Sequence, residues 1–324
     1  MTSATTPPAD EKRPTTPVAG SVLAGRLVLR DPVGEGSLGP VWRAFDLEVG
    51  RWVAAAPLEP AEVGRAIVEH PHVLGLLDHV RTPEGPWATA PLVGGGTATQ
   101  LLADHGPLPT PFVAVLLDQL LDALVAVHAA GLVHRDVTTT NLLLRPTGSG
   151  RPHLLLADFG LATRAHGRGR ILLGTPGYAS PEQDDGAPPH PRADLYSAGV
   201  VARELLTGAP PPGHGSEPPQ PTVAGPLADL VAELTAEDPD ERPLSAREAR
   251  SMLQAAGVPP SAPWAEDLRP PWVPDRLGPD PEPPGEVAVA GSPRAQEDRD
   301  EAGHRHRWWV RWLVGGEGSD EQPG

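Results

Sequence analysis

The chain has 324 residues and a formal net charge of −16, most of it between residues 21 and 256, a balance that argues against a nucleic-acid-binding surface. With no cysteine there can be no disulfide framework, thiolate metal site or cysteine nucleophile. The 36 glycines and 43 prolines are unevenly placed, so one packed domain with open ends is expected rather than two cores.

Residues 1–20 read as a Thr/Pro/Ala-rich disordered leader without the apolar stretch of a signal peptide. From Arg26 to Trp42 the pattern is strand, glycine turn, strand, and residues 51–56 (RWVAAA) add a short strand. Pro111 to His128 is the clearest helix, with Thr110 as its cap and Pro111 at its first position. Leu116, Leu117, Leu120, Leu121, Leu124 and Val125 recur there at helical spacing, with Asp118 and Asp122 on another face. Apolar runs at 142–144 and 153–156 predict a small hairpin. Leu195–Leu206, Leu227–Leu234 and Ala246–Ala255 predict three more helices, the last capped by Ser245. A strand-rich half followed by a larger helical half is an α+β arrangement.

Beyond Gly257 come twelve prolines in 68 residues, so residues 257–324 read as a Pro-rich, acidic, disordered tail. Within it the segment 304–314 (HRHRWWVRWLV) would, as a helix, put Trp308, Trp309, Trp312 and Leu313 on one face and Arg307 and Arg311 on another. Such a segment suits an anionic membrane surface, a groove on a partner protein, or the domain itself. No uncharged apolar run of 18 residues is present, and a cytoplasmic protein is expected, with peripheral contact to the inner membrane face through 304–314.

Two residues stand out against the composition. Of 26 basic residues only Lys12 is lysine, and Asn141 is the only asparagine. Three motifs frame them. Gly34-Glu35-Gly36-Ser37-Leu38-Gly39-Pro40-Val41 can lay bare backbone amides over phosphates, and its place between two strands argues against a dinucleotide-binding βαβ site. His134-Arg135-Asp136 runs on to Asn141, so a carboxylate and an amide five residues apart can orient a hydroxyl and hold a divalent cation. Asp158-Phe159-Gly160 supplies a second oxygen ligand for such a metal. Alone, the histidine and aspartate of the second motif read equally as core and turn residues.

In order and spacing, with Gly174–Glu182 (GTPGYASPE), Asp194–Ser197 (DLYS) and Asp238–Pro243 (DPDERP) downstream, these motifs resemble the protein kinase family, specifically bacterial Ser/Thr kinases of actinobacterial type. The resemblance covers about residues 26–255 and implies a bilobal kinase fold over 21–256, with an N-lobe about 21–90, a truncated αC helix and a C-lobe about 94–256. It makes Asp136 the catalytic base and Asn141 and Asp158 the metal ligands. It places Gly34, Gly36, Gly39, Val41, Ala54, Pro91 and Val93 around a nucleotide. ATP and Mg are the implied cofactors, and a protein is the implied partner or substrate. Glu182 and Arg242 would form a buried ion pair, Asp194 would hold the catalytic loop, and Thr175 is read as structural.

The family's pattern breaks at the phosphate clamp. Its strand lysine falls on Ala56 and its catalytic-loop lysine on Thr138, while Lys12 lies ahead of the glycine loop. Arg43 and Arg51 are conceivable substitutes of different shape. Only 14 positions separate Ala56 from His70, about half the family's usual stretch, so Glu62 and Glu69 read as surface charges on a stunted helix. The segment Leu161–Gly174 carries one hydroxyl, Thr163, and arginines at 164, 168 and 170, which gives little support to a phosphorylation switch. The runs Pro210–Pro212 and Pro218–Pro221 suggest a reduced docking region before Leu227. The sequence therefore predicts a catalytically impaired kinase-fold module, a pseudokinase, that regulates a partner and holds ATP·Mg. An active Ser/Thr kinase with an unusual clamp is the alternative, and a membrane-surface scaffold acting through 304–314 is a second.

Overall fold

Alternation of large apolar residues with small or polar ones builds the first half. In the computed structural model, which describes residues 17–36, 38–58, 68–158, 163–164, 174–212, 225–257 and 270–285, a six-stranded antiparallel sheet comes first. Its strands are β1 (Val22–Leu23), β2 (Leu27–Gly36), β3 (Gly39–Asp46), β4 (Arg51–Pro57), β5 (Asp78–Thr82) and β6 (Gly85–Ala90), in the spatial order β1-β2-β3-β4-β6-β5. Leu27 and Leu29, Trp42 and Ala44, Val53 and Ala55, Val80 and Trp87 share one face and close a small core. The period of two puts Arg43, Ala54 and Ala56 on the other face, where Ala54 stands opposite both Arg43 and Ala90.

The second half is helical: α1 (Ala98–His105), α2 (Thr110–Ala129), α3 (Pro181–Asp184), α4 (Pro191–Thr207), α5 (Pro226–Leu234) and α6 (Ala246–Ala255). α2 is long and apolar enough by length and composition to cross a membrane, yet nearly three quarters of it is buried within the protein, as befits the central helix of a lobe. Its N-cap is Pro109, without a side-chain bond, so the cap expected of Thr110 is not observed; Thr110 is already helical and a proline at its second position needs no partner for the missing N–H. Ser245 caps α6 as expected, accepting the Glu248 N–H at 3.2 Å. Two paired segments complete this half: β7 (Leu132–Val133) with β10 (Thr163–Arg164), and β8 (Leu142–Leu144) with β9 (Leu154–Leu156).

The two halves are tied by backbone. The Leu74 N–H donates to the Leu156 carbonyl (2.8 Å) and the Leu156 N–H to that of His72 (2.9 Å), so residues 72–74 grip β9. A compact unit extends to Pro283 and a second runs from Pro284. Composition predicts a linker-like tail from Gly257 onward, but residues 270–283 lie against the domain. Val273 is 1% exposed in the helical core, and its backbone exchanges two hydrogen bonds with Gly148 (2.9 and 3.0 Å). One buried valine with a single backbone bridge seats a proline-rich segment that has no periodic apolar pattern to betray it. The leader through residue 16, Glu62, the 165–173 part of the activation segment, Pro218–Pro221 and the 304–314 segment lie outside the described residues.

Candidate active site

The loop between β7 and β8 carries Asp136 and Asn141, and its shape is set from below. Asp194, in the first turn of α4 and fully buried, accepts the His134 N–H (2.9 Å) and His128 Nε2 (2.8 Å) on one oxygen and the Arg135 N–H (2.8 Å) on the other. Burial alone would push this carboxyl up, but the His128 bond, the nearby histidines and the backbone donors hold it below its ordinary range. Arg135 then takes a left-handed turn (φ 70°), a conformation that a long side chain enters only when its surroundings enforce it.

The turn presents Asp136 with both carboxylate oxygens engaged. Asn141 Nδ2 donates to Oδ2 (2.8 Å) and to the Asp136 carbonyl (2.9 Å), while Thr175 donates to Oδ1 from its hydroxyl (2.7 Å) and its N–H (3.2 Å). Spending the Asn141 amine on Asp136 leaves its carbonyl oxygen as the atom able to meet a cation. Asp158 follows β9 in a left-handed conformation (φ 60°), and the neighbouring Ala157 N–H donates to the Asn141 carbonyl at 2.9 Å. The β7–β10 pairing further ties the Asp136 loop to the chain after Asp158. Thr175, read from the sequence as structural, thus touches the Asp136 carboxylate directly.

His134 supports the same loop from inside. Its Nε2 meets the Ala157 carbonyl (3.1 Å) and its Nδ1 accepts the Asp136 N–H (3.3 Å), which fixes the proton on Nε2 and the ring as neutral. Complete burial lowers its pKa, and burial likewise lowers that of His72. The sign follows from linkage: below the ordinary value of 6.5 the unfolded chain takes up protons that the folded chain refuses. Stability is expected to fall as pH drops from about 6.5, by up to about 1.4 kcal/mol per pH unit for each such histidine. Denaturant titrations at pH 7, 6 and 5 check this, and a flat profile would contradict the neutral-ring assignment.

Scaffold contacts surround the loop. Arg242, its side chain fully buried, forms a two-pronged pair with Glu182 (2.7 and 2.9 Å) and caps three carbonyls, those of Ala236, Glu237 and Arg192. Thr139 links Thr99 (2.8 Å) to the Tyr178 hydroxyl (3.1 Å), which donates to Glu204.

On the sheet side, Gly34 and Gly36 end β2 while Gly39 and Val41 open β3, with Gly36 paired to Gly39 across the turn. No backbone hydrogen bond among the described residues joins this hairpin to the loop that carries Asp136. Pro91 and Val93 follow β6, and neither the Pro91 carbonyl nor the Val93 N–H is engaged in a hydrogen bond among the described residues. Ala56 stands opposite Ala88 in β4, with no cationic side chain in its place. Thr138 is 1% exposed and shares a hydrogen bond with Thr140 (2.8 Å). Arg43 is held by Asp31 (2.7 and 3.1 Å), and Arg51 lines a cavity with Pro91, Val93 and Gly94. Arg43 stands opposite Ala54, two positions from Ala56 on the same face, but its guanidinium is committed to Asp31 and the Leu277 carbonyl.

Residues 28–254 match the protein kinase domain. The chain belongs to the bacterial Ser/Thr protein kinase family. It is 33% identical over 318 residues to the serine/threonine-protein kinase PkaA of Streptomyces coelicolor, covering 85% of this chain and 58% of that protein. It is 32% identical over 213 residues to PknL of Mycobacterium tuberculosis, covering 60% and 52%. A DNA damage-responsive kinase of Deinococcus radiodurans, RqkA, is 38% identical over 222 residues, covering 61% of this chain and 32% of that protein. The chain thus spans little more than half the length of PkaA and PknL. As a kinase domain it shows the bilobal α+β fold, β-rich first and helical second.

Proposed function

We propose that this kinase domain is a pseudokinase, a regulatory module that holds ATP·Mg in the interlobe cleft and moves the γ-phosphoryl group poorly. The observation that carries the reading is the uneven retention of parts. Asp136 is oriented by Asn141 and Thr175, and the hinge keeps an unengaged carbonyl and N–H at Pro91 and Val93, yet Ala56 and Thr138 stand where the family places its phosphate lysines. When bound, ATP·Mg supplies the phosphoryl group and the charge that draws the cleft together. Asn141 and Asp158 would hold the metal, Pro91 and Val93 the adenine edge, and the glycine hairpin would cover the phosphates, with Val41 and Ala54 against the base. Transfer of a phosphoryl group is almost wholly positioning and charge neutralisation, so a cleft without its two lysines can bind what it cannot efficiently convert.

A second reading, an active Ser/Thr protein kinase, is favoured by the fully assembled base. An arginine clamp gains no support from Arg43, which is committed to Asp31. Either reading places the domain in the cytoplasm, the compartment that supplies ATP, acting on a protein. The test is a thermal shift. ATP with magnesium at about 100 times its dissociation constant should stabilise the chain by about 2.7 kcal/mol. Asp158→Ala should lose most of that gain, and no shift under any condition removes nucleotide from the reading. Labelled-ATP transfer compared with Asp136→Ala separates the two readings: transfer that vanishes in the variant marks an active kinase.

A further inference from the structure

The segment 270–283 runs along the outside of the hinge and touches both lobes. On the helical side, Val273 is buried and paired with Gly148, His105 Nε2 meets the Trp272 carbonyl (3.0 Å), and Arg276 forms an ion pair with Asp104. At the hinge itself, the Arg276 N–H donates to the Gly94 carbonyl at 2.7 Å. On the sheet side, Arg43 Nη1 donates to the Leu277 carbonyl (3.1 Å) and Trp52 Nε1 to the Pro281 carbonyl (2.9 Å). Glycines clear its path. A Cβ on Gly94 would overlap the Asp275 carboxylate, one on Gly96 the Arg276 side chain, and one on Gly148 would come 3.2 Å from the Trp272 ring. Past the Arg276–Gly94 bond, Leu277, Gly278 and Asp280 line an open cavity of about 400 Å³ together with Trp52, Pro91, Val93 and Arg145.

We propose that residues 270–283 are an interlobe clamp that sets the angle between the lobes and opens from its sheet-side end. Rotation of the lobes about residues 91–96 changes the distance between Val273 and Pro281 anchors, so either end must let go. The helical end combines a buried side chain, a two-way backbone bridge and an ion pair, whereas the sheet end rests on two hydrogen bonds to carbonyls. The sheet end is the weaker and releases first.

The test reads the lobes directly and needs no nucleotide, which separates its failure from a failure to bind ATP. Because the chain has no cysteine, Val49→Cys and Leu244→Cys, at sites 51% and 70% exposed on opposite lobes, take two spin labels uniquely. In the full chain, pulsed electron resonance should give one narrow distance distribution. Arg43→Ala with Trp52→Phe frees the sheet end, and Val273→Asp unseats the helical end. Both should broaden the distribution, and Val273→Asp should speed amide exchange over residues 271–277 by about 10-fold or more. If Val273→Asp loses its cooperative melt, the sheet-end pair alone decides. A distribution unchanged by release, or already as broad in the unaltered chain, overturns the clamp.

Discussion

Installing both missing lysines, Ala56→Lys with Thr138→Lys, should raise turnover of labelled ATP by about 10²-fold or more. The physical basis is the cost of an absent donor: one preorganised charge-stabilising group is worth about 3–4 kcal/mol in the transition state of such a reaction. A side chain at 56 projects from the same face of β4 as Ala54, so a lysine there enters the cleft rather than the core closed by Val53 and Ala55. At 138 the replaced hydroxyl is buried and bonded to Thr140, so the lysine must extend past that pair and will cost some stability. Ala56→Lys alone is therefore the safer arm, with a smaller gain. Adding Asp136→Ala to the restored chain should return turnover to its starting level, since the gain requires the base. If ATP·Mg binds the restored chain and turnover stays flat, the two lysine positions do not limit transfer and the pseudokinase reading loses its main support.

Much of this site was legible in the sequence because its signals are local and chemical. The HRD-to-Asn141 run, the Asp158 turn and the 174–182 motif hold functional groups at fixed offsets, and the structure draws Asp136, Asn141 and Thr175 into direct contact. Helices α2, α4, α5 and α6 were legible from periodicity, to within a residue at one end and up to four at the start of α4. Other elements left signals that are easy to pass over. Thr97 and Gln100 form a reciprocal capping box at the start of α1, a pattern visible as Thr-x-x-Gln, and Thr82 to Gly85 mark the β5–β6 turn, where Thr82 Oγ1 donates to the Gly85 carbonyl at 2.8 Å. The clamp segment was illegible for a different reason. Its hold depends on carbonyls meeting Arg43 and Trp52 more than 200 residues away and on glycines at 94, 96 and 148 that leave it room, and no pattern within 270–283 encodes those partners.

Asp194→Ala should be among the most damaging single changes to the domain, although Asp194 touches neither nucleotide nor substrate position. Its carboxylate accepts from two buried backbone donors, at His134 and Arg135, and meets the His128 ring. Truncation removes this acceptor from two buried backbone donors, each of which costs about 1–3 kcal/mol when left unsatisfied. Taking about 4 kcal/mol as the sum, a domain of this size should melt roughly 8–16 °C lower. Asp194→Asn keeps one acceptor oxygen but turns an amine toward donors, so it should fall between the variant and the unaltered chain. The loss should also be directional. Amide exchange should rise first over residues 132–141, because the left-handed turn at Arg135 is enforced by these bonds and relaxes without them, taking Asp136 out of reach of Thr175. A domain that melts within a degree or two of the unaltered one would show that the β7–β10 pairing and the buried His134 ring hold the loop by themselves. In that case Asp194 would be a consequence of the loop's shape rather than its cause.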